Sequence, residues 1–423
     1  MAVALLLALA AANRAGAADA LTLREALAKA LESSPELESA RLAVSAGEAR
    51  ARQAGALPNP ELKAELENIG GSGAFRGADS AESTLRLSQL VELGGKRSAR
   101  HRQAERERDV AAAELEVRRA QVVARTARAF IDALALQERV QIAEALQRLS
   151  QEARAAVDAR LRAGAATQAE VLRAQLAVDY ARLQREARGR ALGAARATLA
   201  ASWGGAGGEV SGLSGDLAAI APPVSASAVL GALDGTPELI RWGEERAARA
   251  AALELQEARA VPDVTVGAGP RYFSDTQDGA LVVELWVPLP VFNRNQGAIS
   301  AARADLAAVD AGRRGAAATL RASLLRAHAE LSTAYAQAVA LRDRMLPTAE
   351  AARRHTAEAY QRGALGSLDV LDAQRALFAL REQHVEALAQ YHQATTELEQ
   401  LLGASLPTDG AAAGDAVVPG RMP

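Results

Sequence analysis

The chain of 423 residues has no cysteine, and aromatics make up only 3% of it. The first absence excludes disulfides, thiolate metal sites, a cysteine nucleophile and a lipidated N-terminal cysteine. The second leaves Ala and Leu as the main apolar residues, beside abundant Arg, Glu and Gln. Such small side chains suit long, closely packed helices better than a globular α/β core. Charge of one sign is also lacking. A formal net charge of −2 gives no case for nucleic acid or acidic ligands as partners. No nucleophile–base pair, phosphate loop or metal triad stands out, which argues against an enzyme and against a cofactor.

Long apolar runs are missing as well. Residues 2–12 (AVALLLALAAA) are too short to span a bilayer but suit the core of a signal peptide, with small residues at 15–18 before Asp19. A signal peptide is expected at 1–18, although no positive charge precedes the run. No later segment is long and apolar enough for a transmembrane helix, so any membrane crossing must use strands.

What the chain does have is a repeat. Thr22 with Glu25 forms a capping-box pattern ahead of an amphipathic segment, and Ser34-Pro35 restarts a helix that Pro58-Asn59-Pro60 ends. Period 2 follows: Leu62, Ala64 and Leu66 alternate with charged residues, then Leu85, Leu87, Val91 and Leu93 resume after a Gly/Ser-rich loop, which predicts a β-hairpin. From Lys96 to about Arg162 neither proline nor a turn cluster intervenes, giving a helix of about 100 Å. A return helix is expected over about 167–200, then an irregular connector.

The same order recurs. Ser34 and Pro60 lie 202 residues before Thr236 and Pro262, while Leu93, Gly164 and Gln175 lie 199 residues before Phe292, Gly363 and Gln374. A constant offset on each side of one loop marks an internal duplication, with the first hairpin loop three residues longer. The expected organisation is a first repeat at 19–201, a connector at 202–224, a second repeat at 225–403 and a disordered tail at 404–423. Within the second repeat, Pro347 reads as the first position of a new helix.

Four strands with one apolar face cannot close a membrane barrel, which needs at least about eight, and an open apolar edge aggregates. Three copies would supply twelve strands, apolar side to lipid, with Glu61, Lys63, Glu65, Arg86 and Glu284 facing a wet lumen. Helices at about 35–57 and 167–200 total about 86 Å, so that stacked end to end they nearly match the single long helix. Val370, Leu377, Leu380, Leu388, Tyr391, Leu398 and Leu402 keep the 3/4 spacing of a coiled-coil seam. The fold class expected is mainly α with a small β part: duplicated, with a coiled-coil helical tunnel and four strands given to a shared trimeric barrel.

The two hairpin turns carry the candidate functional residues. At 360–374 (YQRGALGSLDVLDAQ) a helix breaks at Gly363 and Gly366, and Asp369 and Asp372 follow three residues apart on one face of the next helix. At 162–175 (RAGAATQAEVLRAQ) the same layout breaks at Gly164, Glu170 stands where Asp369 does, and Arg173 replaces the second acid. Solvated acids near a helix N-terminus need no role beyond complementing the dipole.

Several stretches are similar to the TolC family of outer-membrane efflux proteins. These are Tyr360, Gly363 and residues 368–375 (LDVLDAQR) and, for the CzcC-type heavy-metal subgroup, 59–62 with 65–68, 88–97 (SQLVELGGKR) and 287–299 (VPLPVFNRNQGAI). The resemblance covers almost the whole chain after the signal segment. It implies a trimer combining a twelve-stranded outer-membrane barrel with a periplasmic helical tunnel. It also implies an acidic, cation-favouring constriction at Asp369 and Asp372, with Tyr360 at the same tip. Adaptor contact is then expected at Gly164, Gly363 and Gly366. Leu365 departs from the family namesake, which carries a basic gate residue there, so a differently latched gate is expected. The implied partners are a periplasmic adaptor, an inner-membrane pump of the resistance–nodulation–division class and outer-membrane lipid, with heavy-metal cations as cargo. Organic drugs or a secreted polypeptide are the alternative cargo. A soluble coiled-coil scaffold or adaptor is the alternative of another class.

Five histidines (His101, His328, His355, His384 and His392) stand apart from one another, and no metal site is expected of them. His384 falls in the apolar seam and is expected to pack against a helix. The basic run 96–108 superficially matches a DNA-binding basic helix. The hairpin before it and Glu105 and Glu107 within it favour a solvated face instead.

Overall fold

A computed structural model describes residues 20–205, 208 and 210–406. The signal peptide expected at 1–18, and residues 407–423 of the expected tail, lie outside the described residues. Two compact units emerge. One comprises 1–38, 118–233 and 320–423; the other comprises 39–117 and 234–319.

The second unit holds a four-stranded antiparallel sheet, in the order β2 (Glu61–Glu67), β3 (Glu82–Val91), β5 (Val264–Phe273), β6 (Asp278–Trp286). Its register sets Ala64 opposite Leu85, Leu87 opposite Ala268 and Val266 opposite Leu285. Because side chains alternate along a strand, one face is mainly apolar, with Ser83 and Gln89 as its polar members, and open to solvent. Leu62 is 68% exposed, Leu281 74% and Leu285 69%.

The other face is charged and internally paired. Arg86, itself buried, joins Glu65 on β2 to Glu284 on β6, and Arg271 contacts Glu82 at 3.1 Å and Glu67 at 3.5 Å. Arg86 can cross β5 because Gly267 and Gly269 stand in its way with no side chain. A Cβ on Gly269 would lie 1.9 Å from the Leu85 carbonyl oxygen. Among the described residues both outer strands, β2 and β6, have a free edge.

The two hairpins differ more than their three-residue length difference suggests. The first connects its strands through residues 68–81, including a short 3₁₀ turn at Gly73–Phe75, whereas the second uses only 274–277. Its turn includes Gln277 at φ +59°, and the remaining chain extends β5 and β6.

The expected solvated face at 96–108 is engaged at its start, while Arg102 and Arg106 further along stay exposed. Arg97 and Arg100 donate to the carbonyls of Gly55 and Ala54 at 2.6 and 2.7 Å, just where α2 (Pro35–Ala54) ends, and Lys96 meets Asp263 at 2.6 Å. The unsatisfied carbonyls and negative dipole end of α2 account for this basic cluster.

The first unit is helical. Its described part opens with a two-residue strand, β1 (Leu21–Thr22), followed by α1 (Leu23–Ser33), whose capping box between Thr22 and Glu25 is complete. The helix α3 (Lys96–Arg162) runs unbroken for 67 residues, and α4 (Gln168–Ala201) returns. The connector holds β4 (Leu213–Ser214), which pairs in parallel with β1. After α5 (Ala226–Gly231), the second unit's α6 (Pro237–Ala258) precedes β5. In the second repeat α7 (Gln296–Ala340) does not stop before Pro347. A π-turn at Leu341–Met345 carries it into α8 (Leu346–Gln361), and α9 (Ser367–Leu402) returns. The wider turn lets a helix absorb an extra residue without a break, and it lies just ahead of Pro347, which has no N–H to give the preceding turn and whose ring crowds a regular helix there.

The core of this unit is built from small residues. Ala26, Ala133, Ala200 and Ala338 are completely buried beside Phe130, Leu134, Leu199 and Leu388. Of the expected seam, Leu377, Leu388, Tyr391 and Leu398 are buried, while Val370, Leu380 and Leu402 are half-buried.

Candidate functional site at the hairpin tips

The turns at 163–166 and 362–366 are built alike. At the first, Ala165 N–H donates to the Arg160 carbonyl at 2.8 Å and Gly164 N–H to that of Leu161 at 2.9 Å. At the second, Ala364 N–H donates to Ala359 at 2.9 Å and Gly363 N–H to Tyr360 at 3.0 Å. This paired closure requires a left-handed residue after the helix, and Gly164 and Gly363 supply it at φ +74° and +76°. Nothing stands within 4 Å of a Cβ at either position, so glycine is needed for its backbone alone.

The helices restart with different chemistry. Thr167 accepts from the Glu170 N–H at 3.3 Å and donates its hydroxyl to the Glu170 carboxylate at 3.3 Å. Gly366 occupies the equivalent position and has no side chain to offer. Asp369 instead reaches back to accept from the Gly366 N–H at 3.0 Å. Asp372, 72% exposed, has only a loose contact with Arg375 at 3.8 Å. Both aspartates stand at the solvent-facing start of α9, and Leu365 beside them is 41% exposed.

Tyr360 lies in the last turn of α8 and is half-buried. The Arg160 guanidinium, from the last turn of α3, sits 4.5 Å from its ring centroid. The Tyr360 hydroxyl is buried and has no hydrogen-bond partner among the described residues. A groove of about 260 Å³ adjoins it, lined in part by Val157, Glu170, Ala174, Ala357 and Val370. The structure therefore brings Tyr360 beside the first hairpin, while among the described residues Asp369 and Asp372 each have partners only on their own helix start.

Sequence reasoning missed a belt of polar contacts around the connector. Gln137 both donates to the Leu213 carbonyl at 2.9 Å and accepts its N–H at 3.2 Å. The Tyr391 hydroxyl does the same with Ala221, at 2.9 and 3.0 Å. His392 and His328 donate to the Leu217 and Val224 carbonyls at 2.9 and 2.7 Å. A polar residue in an otherwise apolar seam, such as Tyr391-His392, was the available signal, since an irregular segment needs partners for its backbone.

The remaining histidines are dispersed. His101 contacts Glu105 at 3.3 Å, His355 contacts Glu358 at 3.9 Å, and the half-buried His384 has its Nε2 without a hydrogen-bond partner. Burial, followed by the charge of Arg342, lowers the pKa of His384. Among the described residues no group of three or more His, Asp or Glu side chains is arranged to hold a metal, and no helix is long and apolar enough to cross a membrane.

The family model described as "Outer membrane efflux protein" matches residues 26–205 and 232–404, one segment for each repeat. The chain belongs to the outer membrane efflux protein family. It is 32% identical over 391 residues to the cobalt-zinc-cadmium resistance protein CzcC of Cupriavidus metallidurans, covering 92% of this chain and 91% of that one. It is 31% identical over 301 residues to the nickel and cobalt resistance protein CnrC of the same organism, covering 70% of each. Among solved structures, CusC superposes with a TM-score of 0.75 at 19% identity over 90% of this chain and 91% of that chain. The outer membrane protein VceC of Vibrio cholerae gives 0.73 at 21% identity, over 90% and 96%. This efflux protein thus resides in the outer membrane and extends into the periplasm, and the exposed apolar face of its sheet is the surface suited to lipid.

Proposed function

We propose that the protein is the passive exit duct of a tripartite system that expels heavy-metal cations. The observation that carries this reading is the four-stranded sheet, apolar on one face and charged on the other, with both outer edges free. A sheet of that construction is stable in a bilayer only when its edges are paired. Three copies supply twelve strands and close a barrel whose lumen receives the Arg86 and Arg271 networks. The repeats at 19–201 and 225–403, joined by the connector at 202–224, form the tunnel below it.

In that trimer six carboxylates, Asp369 and Asp372 of each copy, form a ring at the periplasmic mouth. The ring attracts cations and repels anions. A periplasmic adaptor engages the turns at Gly164, Gly363 and Gly366, and an inner-membrane pump of the resistance–nodulation–division class supplies energy and selection. The duct catalyses no bond chemistry; it opens as the helix pairs part. Metal cargo is supported by the resistance proteins CzcC and CnrC, to which the chain is similar along most of its length.

The test is deletion of the gene with complementation, measuring tolerance to zinc, cobalt, cadmium, nickel and organic drugs. Loss of metal tolerance with drug tolerance intact is expected. Loss of drug tolerance alone would replace metals by organic cargo, and a water-soluble protein recovered without detergent would overturn the duct.

A further inference from the structure

The apolar row of β6 continues past the point where its pairing stops. Leu281, Val283 and Leu285 stand on the exposed face of the sheet, and Val287, Leu289 and Val291 keep their spacing beyond Trp286, the last residue paired with β5. Leu289 is 79% exposed, Val291 61% and the adjoining Phe292 91%. We propose that residues 287–292 are a lipid anchor. They lie where the head groups of the periplasmic leaflet meet the acyl chains, and they fix how deep the barrel sits. The inference rests on the sheet forming the membrane barrel.

Length is the first support. The nine residues of β6 rise about 30 Å along the strand and about 22 Å across a bilayer at a tilt of about 45°. An outer-membrane barrel presents an apolar band about 25 Å tall, so the strand alone falls short of it. Residues 287–292 supply the missing height at the correct end. They lead into α7, opposite the turns at 68–81 and 274–277, and the helical part is what extends into the periplasm.

The backbone of the segment brings its own partners. Pro288 and Pro290 have no N–H, so neither can carry the ladder on to another strand. Val291 N–H donates to the Leu289 carbonyl at 2.9 Å. The Arg294 guanidinium donates to the Pro290 carbonyl at 3.3 Å, and the Gln296 side chain to that of Phe292 at 3.2 Å. Backbone groups satisfied in this way can approach hydrocarbon. Phe292 beside the exposed Arg294 also suits the boundary, the ring toward acyl chains and the cation toward lipid phosphate.

The first repeat has no such segment. At the positions 199 residues earlier, Glu92 stands for Val291 and pairs with Arg100, while Leu93 stands for Phe292 and donates its N–H to Asp263 at 3.0 Å. That stretch is tied down within the protein, so the anchor belongs to the second repeat alone.

The absence of cysteine allows a nitroxide label at any single introduced one. The full chain is reconstituted in vesicles of phosphatidylethanolamine and phosphatidylglycerol and labelled, one variant at a time, through Leu289→Cys or Phe292→Cys. Leu281→Cys on the sheet face is the lipid reference, and Thr276→Cys in the β5–β6 turn is the water reference. Collisions with oxygen, which concentrates in lipid, are compared with collisions with a nickel chelate confined to water. The expected result at 289 and 292 is a gain in oxygen access and a loss of nickel access relative to Thr276, approaching Leu281. Values equal to those at Thr276 overturn the anchor. Exclusion of both reagents also overturns it, because a second copy then covers the segment. A Leu281 label open to nickel takes the sheet out of lipid, and barrel and anchor fall together. A lipid-buried Leu281 with wet labels at 289 and 292 removes the anchor alone. Should one of the two variants fail to give the folded oligomer, the other decides.

Discussion

Glu170 and Asp369 occupy the same position in the two repeats, and each carboxylate turns back to the start of its own helix. Glu170 does so through the Thr167 hydroxyl, Asp369 through the Gly366 N–H at 3.0 Å. Asp369 therefore has a structural task that Asp372 lacks. Replacing Asp369 with Ala is expected to lower the melting midpoint of the purified protein, replacing it with Asn to lower it less, and Asp372→Ala to leave it unchanged. A calorimetric scan that ranks Asp372 above Asp369 would contradict this division.

In the sheet, Gly269→Ala places a Cβ 1.9 Å from the Leu85 carbonyl oxygen, where neither backbone can give way without opening the β3–β5 ladder. Loss of the folded oligomer on unheated gels is expected. Arg86→Ala is milder. It leaves Glu65 and Glu284 without their shared partner, at a cost of about 1–3 kcal/mol, read as earlier unfolding in denaturant.

The belt makes a pH-dependent contribution through His392. Burial holds its imidazole below the usual value, with the Leu217 hydrogen bond and Asp216 acting the other way, and the edge of Tyr391 packs against it. The unfolded chain takes up this proton more readily than the folded one. The contribution is therefore full above about 6.5 and is lost as pH falls through the lower folded value. Asp132 and Glu399 behave oppositely. Burial raises both, so what they add is present below the ordinary carboxylate range and lost as pH rises through their folded values. Melting curves of His392→Gln from pH 8 to pH 5 are expected to fall less steeply than those of the native protein. Parallel curves would remove His392 as the cause.

Most of the fold could be read from the sequence because its signals are periodic. The unbroken stretch ending at Arg162 formed one helix, Thr22 and Glu25 formed their capping box, and alternation at Leu62, Leu66, Leu85 and Leu87 set the exposed face of the sheet. The constant offsets of 202 and 199 residues mark the duplication in the sequence alone. What escaped depends on contacts between distant segments. Pro347 signalled a new helix, and it does stand in the first turn of α8, but a π-turn at Leu341–Met345 joins that helix to α7 without a break. The grip of Gln137 on Leu213, and of Arg160 on Tyr360, joins residues 76 and about 200 positions apart, and no local pattern announces either. The departure at Leu365 was visible, but not the arginine on the opposite hairpin.

The central claim is that Asp369 and Asp372 line the mouth of a cation-favouring duct. Its most direct test is the reversal potential of the purified protein in planar bilayers under a potassium chloride gradient, for the native chain and for the double substitution Asp369→Ala with Asp372→Ala. A native channel that prefers potassium, and a double variant whose preference falls toward zero, is the predicted result. Equal reversal potentials for the two would contradict the account.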